Sequence, residues 1–177
     1  FSLKLAMLPP PPSTTPGAIG KVEPQKKRCM SRVVAEESRT VNAPAPIVYG
    51  ILADYRVGHP SILPPAFTDL VVDSGGDGAG TRIHFQATLM GRRDQLSAVI
   101  EEPEPGRVLV ERYPDRGMVT TFIVDPDSAG CRVTIRTEIE ASGISGFLQR
   151  FIVPPMLRRI FRVELGNLER VAQARMP

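Results

Sequence analysis

Lysine is missing from most of this chain. All four lysines (Lys4, Lys21, Lys26 and Lys27) lie in the first 30 residues, together with Arg28 and a single acid, Glu23, for a net charge of +4. Residues 31–177 hold 17 arginines against 18 acids, a net −1. The overall charge of +3 and the pI near 9.1 therefore come from the leading segment. The body has no positive excess, which argues against a nucleic-acid-binding surface. Cysteine is also scarce. Cys29 and Cys131 make no disulfide framework and are expected to be reduced thiols, in keeping with a cytoplasmic protein. The two histidines, His59 and His84, stand far in sequence from both thiols, so no metal site is expected. No apolar run approaches bilayer-spanning length, which excludes stable insertion by a helix. The opening "FSLKLAMLPPPP" is too short, and too interrupted by proline, to read as a signal peptide.

Residues 1–30 contain six prolines and little periodicity and read as an extended or disordered tail. Met30 stands where a native start would fit, which makes the segment either a genuine tail or a leader added ahead of it. "KVEPQKKR" is open to two readings, a targeting or anion-binding patch and a solvated run of charge. Residues 31–177 are expected to form one domain.

A β-branched run at 32–41 predicts a strand. In "NAPAPIVYGILADY", Pro44 suits a first helical turn, and Val48, Ile51, Leu52 and Tyr55 share one face at i, i+3, i+4, i+7. Gly58 and Pro60 are expected to end that helix within "DYRVGHPSILPP". A strand over 66–74 leads to the loop "GGDGAG". With no lysine and no helix after it, this loop reads as a hairpin turn and not as a phosphate cradle.

Four further turns, "GR", "PEPG", "PDRG" and "DPDSAG", allow a register to be followed. It pairs Ala87 with Leu96, Phe85 with Ala98, Ile100 with Leu109, Leu109 with Phe122, and Phe122 with Val133. One face then collects Ile83, Phe85, Ala87, Leu89, Leu96, Ala98, Ile100, Leu109, Phe122, Val133, Ile135 and Ile139, as in an antiparallel meander with one buried side. The opposite face carries His84 with Arg82 and Gln86, and also Val99, Val108, Val110, Val119 and Ile123. Those five are either ordinary strand formers or a homodimer surface.

A short helix or turn over 143–153 should break at Pro154-Pro155. From Met156 a long helix places Leu157, Ile160, Phe161, Leu165, Leu168, Val171 and Ala172 on one stripe, with Arg158, Arg159, Arg162 and Arg170 off it. That stripe either lies on a membrane surface or covers the apolar sheet face. The order of strand, helix, six strands and a long helix is an α+β arrangement.

"VNAPAPIVYGILADYRVGHPSILP", "SGGDGAGTRIHF", "GCRVTIRTEIEA" and the final amphipathic helix together resemble the polyketide cyclase/dehydrase-like branch of the START-related (SRPBCC) superfamily, over nearly all of residues 31–175. The resemblance implies the helix-grip fold of the birch-pollen-allergen type, with a curved seven-stranded antiparallel sheet around the last helix. It also implies a function among ligand carriers, cyclases and stress-response proteins. Relatives often have tryptophan before the proline that follows the first helix, where this chain has His59.

The inner face suits a hydrophobic small molecule, such as a lipid, polyketide or isoprenoid, held without cofactor or metal. The residues expected to meet it are Tyr55, His59, Ile83, Phe85, Leu96, Ala98, Glu111, Tyr113, Thr120, Phe122, Ile135, Thr137, Leu157 and Phe161. Glu111 and Tyr113 are the candidate catalytic pair for a cyclisation or dehydration, with His59 as accessory at the mouth: a carboxylate in an apolar cavity has a raised pKa, and a phenol can donate to a ligand carbonyl. The competing readings are a non-catalytic carrier, a scaffold acting through the convex face, and a Glu111 that points outward or pairs with Arg112 or Arg136.

Overall fold

The computed structural model of the chain describes residues 31–128, 130–141 and 143–176. The expected tail and Cys29 lie outside them. Strand β1 (Ser31–Val41) is followed by helices α1 (Ala45–Ala53) and α2 (Gly58–Ile62). The strands β2 (Phe67–Ser74), β3 (Arg82–Leu89), β4 (Arg92–Glu104), β5 (Val108–Tyr113), β6 (Met118–Asp127) and β7 (Gly130–Ala141) come next, and α3 (Gly143–Ala174) closes the order. All seven strands join one antiparallel sheet in the order β1-β7-β6-β5-β4-β3-β2. β1 and β2, neighbours in the sequence, thus lie on opposite edges, and α1 and α2 cross between them. α3 packs along β1 and against both short helices. This is the α+β helix-grip architecture, a curved sheet closed over a long helix.

The expected apolar face is the inner face, although most of the expected pairings are not the observed ones. Ile83 pairs with Ala98, Phe85 with Leu96, Ile100 with Glu111 and Phe122 with Ile135, while Leu109 does pair with Phe122. Each corrected pairing differs from the expected one by two residues, which leaves the alternation of faces intact. The physical cause lies in the turns. The β3–β4 turn is Met90-Gly91, both left-handed (φ 51° and 76°), as a two-residue hairpin demands, and not Gly91-Arg92. An irregularity between Glu101 and Glu104 displaces the next hairpin, and Asp127 pairs with Gly130 at the tip of the last.

Two helix boundaries also depart from expectation. Pro44 is the non-helical cap of α1, and Pro46 occupies the first turn. α1 stops at Ala53, and Gly58 and Pro60 belong to α2. The Asp54 carboxylate accepts the N–H groups of Arg56, Val57 and Gly58 at 2.9–3.1 Å, and its carbonyl accepts that of His59 at 2.7 Å, which folds the chain into a second short helix. Burial opposes ionisation of Asp54, but the three N–H donors hold its carboxyl below the usual value.

Pro154 and Pro155 do not break α3, which runs through both. Proline's φ is already helical, so the cost is the missing N–H bonds and a ring contact one turn back. Val153, Met156, Leu157 and Ile160 pack against the core on this stretch and offset it.

Val48, Ile51, Leu52 and Tyr55 are fully buried, as their spacing predicts. The glycine loop is pinned by Glu102, whose carboxylate accepts from the Tyr49 hydroxyl (2.5 Å) and the Ala79 N–H (2.7 Å). His84 is half-buried on the convex side, 2.9 Å from Asp73. Val99, Val108, Val119 and Ile123 are half-buried there and Val110 is buried; that side also carries arginine–carboxylate pairs such as Arg112–Glu101 and Arg136–Glu36. No helix among the described residues is long and apolar enough to cross a membrane.

Candidate functional site

Alternation along β5 sends Leu109, Glu111 and Tyr113 to the inner face. Glu111 is therefore buried at 5 % exposure, and it contacts neither Arg112, which pairs outward with Glu101, nor Arg136, which pairs with Glu36 and Glu138. Its carboxylate accepts the Tyr55 hydroxyl at 2.7 Å on Oε1 and the Tyr113 hydroxyl at 2.5 Å on Oε2. Burial first, and then the charge of Glu111, hold both phenols well above the ordinary tyrosine value, so they remain O–H donors.

His59 meets the same carboxylate from α2. Its ring stacks on Tyr55 (centroids 4.5 Å apart, planes 14° apart) and stands edge-on to Phe122. Nδ1 lies 2.8 Å from the Leu52 carbonyl, which can only accept, so Nδ1 carries a proton. Nε2 is left facing Glu111 Oε1, 3.6 Å away. Gly58 makes this placement possible. A Cβ there would lie 2.5 Å from the Ile51 carbonyl oxygen, so α2 could not seat against α1. His59 is thus buried, at 3 % exposure, and not an exposed residue at the rim.

Between the sheet and α3 lies a cavity of about 370 Å³. Of the expected ligand-facing residues, His59, Ile83, Phe85, Leu96, Glu111, Tyr113, Thr120, Phe122, Ile135, Thr137, Leu157 and Phe161 line it. Tyr55 and Ala98 are buried but do not. Tyr55 stands behind Glu111 as its support, and Ala98 is closed off in the sheet. The hydroxyls of Thr120 and Thr137 bond each other at 2.8 Å across β6 and β7.

Two carboxyls on the wall did not figure in the expectations: Asp94, paired with Arg116, and the more deeply buried Glu164. Glu164 of α3 is 3 % exposed and faces the cavity. Burial, and then the charge of Glu111, push its pKa from an ordinary 4.5 up to about 8. The signal was present in the sequence: Glu164 is seven residues after Leu157, three after Phe161 and four before Leu168, in the middle of the apolar stripe. The site can therefore enclose an apolar molecule, hold a carboxylate between two phenol donors beside an imidazole, and present a second carboxyl, with a raised pKa, from the helix. Among the described residues, no group of three His, Cys, Asp or Glu side chains is placed to hold a metal ion.

A family profile described as "Polyketide cyclase / dehydrase and lipid transport" matches residues 32–173. The chain belongs to this family. The match spans nearly all of the sheet and of α3, the elements that enclose the cavity. A search of curated proteins finds no match. Solved structures agree on the fold. The KanY protein is 27 % identical with a TM-score of 0.71, over 81 % of this chain and 99 % of that one. TTHA0849 from Thermus thermophilus is 24 % identical with a TM-score of 0.66, over 83 % and 100 %. The Zhui aromatase/cyclase from a Streptomyces species is 20 % identical with a TM-score of 0.65, over 82 % and 96 %; at that distance the likeness is one of fold.

Proposed function

We propose that this family member binds a hydrophobic small molecule, of the lipid, polyketide or isoprenoid kind, between its sheet and α3. The observation that carries the reading is the 370 Å³ cavity with predominantly aliphatic and aromatic walls and a few buried polar groups. A reducing, cytoplasmic location, expected from the thiols, belongs to the same reading. Native mass spectrometry of protein isolated from its own host should show an apolar molecule that co-purifies. Leu96→Trp, which fills the cavity from a half-buried position on β4, should lose it while keeping the fold. An empty wild-type protein that no apolar compound stabilises against heat would overturn the reading.

A second reading, acid–base catalysis of a cyclisation or dehydration, is favoured by the cluster around Glu111. Glu111 would take the proton from a carbon between two carbonyls. Tyr113 would turn its O–H from Glu111 to the enolate oxygen, and His59 Nε2 would relay the proton onward. Glu111→Gln should then lower turnover of a poly-carbonyl substrate by about a hundredfold or more. Undiminished turnover in that variant would sink this version.

A further inference from the structure

Glu164 stands apart from the other polar side chains deep in the cavity. Glu111 is bonded by Tyr55 and Tyr113, His59 by the Leu52 carbonyl, and Thr120 and Thr137 by each other. Among the described residues, no hydrogen bond reaches the Glu164 carboxyl, although it is nine-tenths buried and faces the cavity. No fully buried side-chain oxygen or nitrogen among the described residues lacks a partner, so the Glu164 oxygens open onto the cavity, where a ligand atom can meet them.

We infer that Glu164 selects the ligand by its head group, donating its O–H to a neutral carbonyl or hydroxyl oxygen and, together with Glu111, excluding carboxylates and phosphates. The inference rests on the hydrophobic-ligand reading and adds a chemical class to it. In its acid form the carboxyl has one proton to give, and a ketone or ester oxygen can only accept. An anionic head group would instead meet the Glu111 carboxylate in a low-dielectric space. Of the residues lining the cavity, the arginine that could compensate is Arg116, and its guanidinium is already engaged by Asp94 (3.7 Å), which lines the cavity too, and by the Gln95 carbonyl (3.3 Å). The upward shift of Glu164, caused by burial and by Glu111, keeps the donor form present at neutral pH.

Displacement of the neutral dye Nile red at pH 7 tests this with three probes of equal chain length: dodecan-2-one, dodecanoate and dodecylamine. The ketone should displace the dye from the wild-type protein at a concentration about tenfold below dodecanoate, the size of one charge-neutral hydrogen bond in a buried site. Glu164→Gln keeps an N–H donor and should hold ketone affinity within about threefold. Glu164→Leu should lose about tenfold for the ketone and narrow the gap to dodecanoate. Equal displacement by all three probes, strongest displacement by the amine, or ketone binding unchanged in Glu164→Leu would overturn the inference and leave hydrophobic binding standing. If Nile red itself fails to bind the wild-type protein, the underlying reading falls too.

Discussion

Glu164 also shapes stability. The unfolded chain loses this proton near the ordinary value of 4.5, whereas the native protein keeps it to about 8. Between those limits the native state binds more protons, so this residue lowers stability as pH rises from about 5 to 8 and contributes no penalty below. Glu164→Gln cannot titrate. Its stability advantage over wild type, from urea unfolding, should therefore grow by on the order of 3 kcal/mol between pH 5 and pH 8. A constant difference across that range would show that Glu164 is ionised in the fold. Around Glu111, Tyr55→Phe and Tyr113→Phe each strip one donor from a buried carboxylate and should each cost about 1–3 kcal/mol. Because both act on one acceptor, the double variant should deviate from additivity by more than about 0.5 kcal/mol, which a double-mutant cycle would detect.

At the scale of elements, the site depends on the turn between α1 and α2. Gly58→Ala would set a Cβ 2.5 Å from the Ile51 carbonyl oxygen and 3.0 Å from its Cα, and backbone cannot yield as a side-chain tip can. α2 should shift, separating His59 from Tyr55 and Glu111. The expected cost is about 2 kcal/mol or more, accompanied by weaker ligand binding. A variant as stable as wild type would mean that α2 is not seated as described. The strands were more legible than the turns. Every expected inner-face residue from Ile83 to Ile139 is inward, because alternation survives a slip of two residues. Most of the pairings, Leu109 with Phe122 excepted, did not survive, because they depend on the turns: at β3–β4, Met90 accepts left-handed backbone where Arg92 was expected to be the turn residue. Pro154-Pro155 misled for a related reason: local propensity opposes helix there, and packing of the stripe against the core prevails.

At the scale of the molecule, the sheet and α3 enclose space that neither element has alone. A ligand that binds only the native state stabilises it by about 2.7 kcal/mol at a hundred times its dissociation constant. Saturating neutral apolar ligand should therefore raise the melting temperature of wild type by several degrees and leave Leu96→Trp unmoved. Equal shifts in both proteins would place the ligand elsewhere.

Composition and alternation determined the α+β class, the buried face of the sheet, the covering helix and the inward direction of Glu111, since each is set by periods of about 2 and 3.6 residues within one segment. Tertiary structure alone decided what surrounds Glu111. Tyr55 and His59 lie more than 50 residues before it and Glu164 more than 50 after, and no local period brings them together. "DYRVGHPSILPP" shows both sides of this. Its prolines and glycine announced a bend, but only the packing of α2 against α1 turned His59 inward, onto the carboxylate that β5 presents.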